Sequence, residues 1–292
     1  MARKYELITD LYEHTLKQIS RNQGKWRDFL RSSCYNYKLS FSEQVLIYAQ
    51  RPDATAVLEL EKWNTQFGRW VNKGATGIAV FDDEHNGNNR LKHYFDISDT
   101  HESRLSRPVP IWNVQEHYEN DVIEALENTF GTLSEKDDLP TALIYTASNA
   151  VEDNYSDYLS ELMYCREDSF LEELDELNVK KYFKEALECS VAYMLLERCD
   201  CGADDYAELF DFGSIVNFNT RETLNALGTA TSDIAEMALR EISATVRNLQ
   251  IADIKQNRTF AEKQKVQYPK DTNKTNHSER SFDYGNHNNG EP

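Results

Sequence analysis

Cationic and aromatic side chains alternate through residues 25–73 of this chain. The cations are Lys25, Arg27, Arg31, Lys38, Arg51, Lys62, Arg69 and Lys73. The rings are Trp26, Phe29, Tyr35, Tyr37, Phe41, Tyr48, Trp63, Phe67 and Trp70. Single-stranded nucleic acid is held by this chemistry: bases stack on aromatic faces while basic groups follow the phosphates, at about 1–3 kcal/mol per stacked base. Asn72-Lys73-Gly74-Ala75-Thr76-Gly77 adds a turn whose two glycines let a backbone approach closely. The competing reading is packing. Trp26, Phe29 and Tyr48 stand at helical spacing and are the kind of rings that a helix buries.

Other chemistries lack their residues. His101-Glu102, Glu84-His85 and Glu116-His117 have no second histidine one helical turn away, so the H-E-x-x-H zinc motif is absent. Cys199-Asp200-Cys201, with Cys189 upstream, has no second pair at zinc-ribbon spacing and reads as thiols near a helix end. Gly68, Gly74 and Gly77 fit neither phosphate-loop pattern, and no G-x-S-x-G is present. Carboxylate runs such as Glu172-Glu173-Leu174-Asp175-Glu176 read as a solvated helical face. We therefore expect a non-enzymatic protein with no metal and no cofactor.

The elements that position these residues belong to a chain of 292 residues, 40% hydrophobic and 28% charged, which is enough for a packed core. Its net charge of −18 argues against a general polyanion binder. That charge is unevenly placed. Residues 1–110 hold 16 basic and 14 acidic residues, whereas residues 111–250 hold 9 and 30, a net of −21. The asymmetry suggests two units. No apolar run approaches the roughly 20 residues that span a bilayer, and the opening MARKYELITD carries no apolar signal core. Five cysteines, an odd number, read as reduced thiols, so a cytoplasmic location is expected.

Residues 2–21 carry an apolar stripe at helical spacing, and Trp26 to Cys34 mark a second helix. Ser40-Phe41-Ser42-Glu43 has capping-box form before a third helix that Arg51-Pro52 ends. Trp63 and Phe67 fit a short helix stopping at Gly68. Arg69–Val71, Ile78–Phe81 and Leu91–Ile97 read as strands, with Asn86-Gly87 in the loop between the last two. Residues 114–250 show long helical stripes, and the polar residues after 250 read as a disordered tail. The expected fold is α+β: N-terminal helices on a small antiparallel sheet (1–113), an acidic helical domain (114–250) and the tail (251–292).

The segment Leu58–Phe81, with Trp63, Gly68, Val71, Lys73, Gly74, Gly77 and Ile78–Phe81 as matching positions, resembles the N-terminal single-stranded-DNA-binding domain of ArdC-type antirestriction proteins. Phe41–Gln50 is similar to that domain's preceding helix, and Pro110–Gln115 to its exit strand. The likeness covers about the first 115 residues. Tyr37–Pro52 also resembles the start of large proteins of integrative conjugative elements, where such a module precedes helicase or methyltransferase-like domains for which this chain has no room. ArdC proteins carry a second, zinc-protease-like domain. The missing H-E-x-x-H leaves at most a degenerate, non-catalytic relative here.

The resemblance implies a DNA-binding protein of a mobile element, acting in conjugative transfer or in protecting incoming DNA. Lys73 and Arg69 are then the first candidates for phosphate contact, followed by Lys62 and Lys38. Trp63 and Trp70 are the stacking candidates, with Tyr37 behind them, and the Gly74 and Gly77 amides could add phosphate contacts. The alternative is an inhibitor whose −21 acidic region imitates DNA and occupies the basic groove of a host restriction or CRISPR nuclease.

Overall fold

A computed structural model describes residues 2–82 and 90–267. The chain divides into a compact unit, Met1–Leu249, and a second unit, Gln250–Pro292.

Three helices open the compact unit: α1 (Ala2–Ile19), α2 (Gln23–Ser33) and α3 (Phe41–Gln50). Asn22 caps α2 by accepting the Lys25 amide at 3.0 Å. The capping box of α3 is present. Ser40 Oγ accepts the Glu43 amide, and the Glu43 carboxylate accepts the Ser40 amide.

Strand β1 (Val57–Glu59) and helix α4 (Leu60–Phe67) lead to β2 (Arg69–Val71), β3 (Ile78–Phe81), β4 (Leu91–Asp96) and β5 (Thr100–Glu102). They form two antiparallel sheets, one of order β1–β4–β3 and a ribbon of β2 with β5. The fold is thus α+β. The glycine turn does not join β2 to β3 as a hairpin; β2 instead pairs with β5, Trp70 standing opposite His101. The loop containing Asn86-Gly87 lies outside the described residues. Pro110–Gln115, expected as an exit strand, has no strand partner.

The three-stranded sheet packs under α1 and α3. Gln50 seals one strand of it: its Nε2 donates to the Ala79 carbonyl at 2.8 Å, and its Oε1 accepts the Ala79 amide at 3.0 Å. An α3 side chain thereby completes hydrogen bonds that a neighbouring strand would otherwise make.

The acidic region is built of α5 (Glu119–Phe130), α6 (Leu139–Cys165), α7 (Glu176–Arg198) and α8 (Arg221–Gln267). Asp138 and Asp175 cap α6 and α7 by accepting the Thr141 and Asn178 amides. α8 continues past 250, so residues 251–267 of the expected disordered tail are helical; residues 268–292 lie outside the described residues.

Position 113/114 is not a packing boundary. One hydrophobic core runs from Tyr12 through Trp26 and Phe29 to Tyr193, Phe212 and Leu239. Trp26, fully buried, donates from Nε1 to Ser190 Oγ at 2.9 Å. Arg31 reaches Glu197 at 3.0 Å and Asp204 at 2.9 Å. Tyr12 donates to Asn225 at 2.6 Å, and Ser232 to Gln44 at 3.0 Å. Among the described residues no helix is long and apolar enough to cross a membrane.

Candidate nucleic-acid interface

The nine candidate residues have very different surroundings. Trp63 is fully buried against Phe67, and its Nε1 donates to the Phe95 carbonyl at 2.8 Å. It holds α4 onto β4 and has no face for a base. Tyr37 is also buried, its ring edge-on to Trp112 and its hydroxyl accepting from Trp112 Nε1 at 3.3 Å. Both stacking assignments fail for the same reason: a ring with its polar tip bonded and its faces covered is core.

Arg69 is half-buried. Its Nη1 pairs with Glu102 at 2.9 Å and its Nε donates to Thr100 Oγ1 at 2.7 Å. The guanidinium therefore ties β2 to β5. Lys62 is exposed and pairs with Glu59 one turn back at 2.7 Å. Lys38 is exposed and lies 5.4 Å from the Tyr37 ring centre. Gly77 is needed for packing, since a Cβ there would meet the Phe95 ring at 3.1 Å and His93 Cβ at 3.2 Å. Gly74 takes φ +91° with open space around it, so only that glycine keeps its backbone available.

Trp70 and Lys73 keep the character that the sequence gives them. Trp70 is 54% exposed, the most exposed of the four tryptophans. Lys73 is exposed and has no ion pair among the described residues.

The ribbon adds residues that the sequence reading passed over. Trp70 lines a shallow groove of about 450 Å³ with Gly68, Ser103, Arg104, Leu105 and Arg107. Arg104 and Arg107 are exposed, and among the described residues no carboxylate lines the groove. Opposite Trp70, His101 shares a 2.7 Å hydrogen bond with Asn72. The signal for these residues was available: Arg104-Leu105-Ser106-Arg107 carries two cations and no acid directly after β5.

The groove depends on close backbone packing. Gly68 caps α4 at φ +61°, where a Cβ would come within 2.8 Å of the Leu105 carbonyl oxygen. Ser103 and Ser106 both donate to the Gly68 carbonyl, at 2.6 and 2.9 Å. The loop bearing the two arginines is thus pinned to the end of α4. Such a groove can take a flat group against Trp70 and anionic groups along its arginines.

An ionisable cluster between α3 and β4 is closed. Glu43 accepts from Tyr94 and Lys92, each at 2.8 Å. Burial alone would raise the Glu43 carboxyl, but the bonds from Lys92, Tyr94 and Ser40 outweigh it and hold the group below the usual carboxylate range. With every partner accounted for, this cluster joins α3 to β4. Among the described residues no group of three or more His, Cys, Asp or Glu side chains could hold a metal ion.

Compared with known proteins, the chain matches no family model, no curated protein and no solved structure.

Proposed function

We propose that the chain binds single-stranded DNA along the β2–β5 ribbon, without catalysing a reaction on it, as a protein of a mobile genetic element. The observation that carries this reading is Trp70, a large ring left in solvent beside Arg104 and Arg107. Bases would stack on Trp70, and the arginines and Lys73 would follow the phosphates. Arg69 supports this surface from within the ribbon and Trp63 from α4; Tyr37, Lys62 and Lys38 take no direct part in it.

The test is fluorescence anisotropy of a labelled single-stranded oligonucleotide and a matched duplex, from low to physiological salt. The single strand is expected to bind more tightly than the duplex, with affinity falling as salt rises. Lys73→Glu should weaken binding and flatten the salt slope by about one phosphate contact. An unchanged slope removes Lys73 from the interface, and no binding by the whole chain at low salt ends the reading.

A second reading draws on the acidic helices. Asp153, Asp157 and Glu161 on α6 and Glu172, Glu173 and Glu176 near the start of α7 are all exposed. Such a surface fits the basic groove of a host-defence nuclease, steered over a Debye length of about 8 Å at physiological salt. A pull-down against restriction and CRISPR effectors separates the readings: capture by this surface survives Lys73→Glu.

A further inference from the structure

A separate cavity of about 390 Å³ opens beside the 3₁₀ turn at Cys34–Asn36. Its cations are Lys38 and Arg198, and no carboxylate lines it among the described residues. Arg198 is only 6% exposed. Its guanidinium sits 3.6 Å from the Trp112 ring centre and 5.6 Å from that of Tyr35. One nitrogen donates to the Trp112 carbonyl at 2.9 Å, and Nε has no hydrogen-bond partner among the described residues. Burial pulls this arginine below its ordinary value, and the largest opposing influences are the thiols of Cys199 and Cys34 and the phenols of Tyr37 and Tyr35.

A buried cation normally has an anion beside it, because desolvation otherwise opposes the charge. Contact with aromatic faces recovers only part of that loss. Arg198 has those faces, but among the described residues no carboxylate shares the wall of its open cavity. At the rim, Tyr35 and Ile111 remain 41% and 55% exposed, offering flat and apolar surface. Ligand cavities typically join such apolar walls to a few convergent polar groups, at about 300–1,000 Å³.

We propose that this cavity binds a small aromatic oxyanion, a flat ring carrying a carboxylate or a phosphate, with its charge against Arg198 and Lys38 and its ring against Tyr35 and Ile111. The site does not rest on strand binding by the ribbon. Segment 103–113 contributes to both surfaces, so the same chemistry could arrive as a free small molecule or as the terminal nucleotide of a strand.

Isothermal titration calorimetry of the whole chain tests this with two probes, deoxyadenosine 5′-monophosphate and benzoate. At least one should bind with one-to-one stoichiometry. Arg198→Gln should weaken that probe tenfold or more. Ile111→Trp, which narrows the mouth from an exposed position, should do the same with an unchanged circular dichroism spectrum. Should Arg198→Gln not fold, Lys38→Gln takes its place beside Ile111→Trp, with a smaller loss expected. Displacement of the bound probe by a 5′-phosphorylated but not a 5′-hydroxyl oligonucleotide assigns the site to strand ends; no displacement assigns it to a free small molecule, and either result supports the cavity. Absence of binding by both probes at millimolar concentration overturns the proposal, as does binding that the variants leave unchanged.

Discussion

Trp63 and Trp70 lie one short helix turn and a strand apart, yet one is sealed and the other is half in solvent. Their truncations should therefore separate. Trp70→Ala is expected to leave the denaturant midpoint nearly unchanged and to weaken oligonucleotide binding by about 1–3 kcal/mol, a factor between roughly 5 and 150. Trp63→Ala should lower stability by about 3–5 kcal/mol, as expected for a lost core ring. Urea unfolding and anisotropy on the same two variants check both halves. Residue types were legible here and burial was not, since both tryptophans have cationic neighbours in sequence. Asp96 shows what else burial decides. It is 3% exposed and accepts the Thr55, Ala56 and Ser98 amides. Burial would raise its carboxyl, but the bonds from Ser98, Ala56 and Thr55 outweigh it and hold the group below the usual range. A depressed folded value stabilises the fold above the unfolded value of about 3.9, and this contribution disappears as pH falls through the folded one. Asp96→Asn should thus cost about 1–3 kcal/mol at pH 7, and the gap to the parent should close as pH drops below about 4. A gap that stays constant down to pH 2 would mean that the carboxylate charge contributes nothing.

Local signals located most of the elements. The Ser40 capping box, the stop at Gly68 and the stop before Pro52 lie within a few residues of the ends they set. The pairing of β2 with β5 was not legible, because no local pattern marks a partner that lies about thirty residues downstream. Gly228 is a similar case. It stands inside α8, where glycine ordinarily costs about 1 kcal/mol relative to alanine. Propensity alone would make Gly228→Ala stabilising. The Phe41 ring of α3 decides otherwise, since a Cβ at 228 would fall 2.2 Å from Phe41 Cε2. Both elements would have to shift, and overpacking of this kind costs about 1–3 kcal/mol. Gly228→Ala should therefore lower the thermal midpoint despite its better helix propensity. A raised midpoint would show that α3 and α8 are not in contact there.

At the scale of the molecule, charge and packing divide the chain differently. Net charge changes sharply after residue 110, which suggested two domains. Charge reports the surface, however, and the buried rings ignore that line. Trp26 and Arg31 of α2 find their partners on α7 and just beyond it, and Tyr12 and Gln44 find theirs on α8. A fragment ending at residue 115 would expose the Trp26 and Phe29 faces and strand the Ser190 and Glu197 partners. We therefore expect residues 1–115 alone to show no cooperative unfolding transition, while the whole chain loses both parts together. The tryptophans make this testable, because Trp26, Trp63, Trp70 and Trp112 all precede residue 113, whereas α5 to α8 all follow it. In urea, tryptophan fluorescence then reports the near-neutral part, and far-ultraviolet circular dichroism reports mainly the acidic helices. One shared core requires the two curves to coincide. Added salt should move both midpoints upward together, because it screens self-repulsion across the −21 surface of a unit that unfolds as a whole. Curves that separate, with only the dichroism curve responding to salt, would restore the boundary at 113/114 and make the ribbon part of an independent domain.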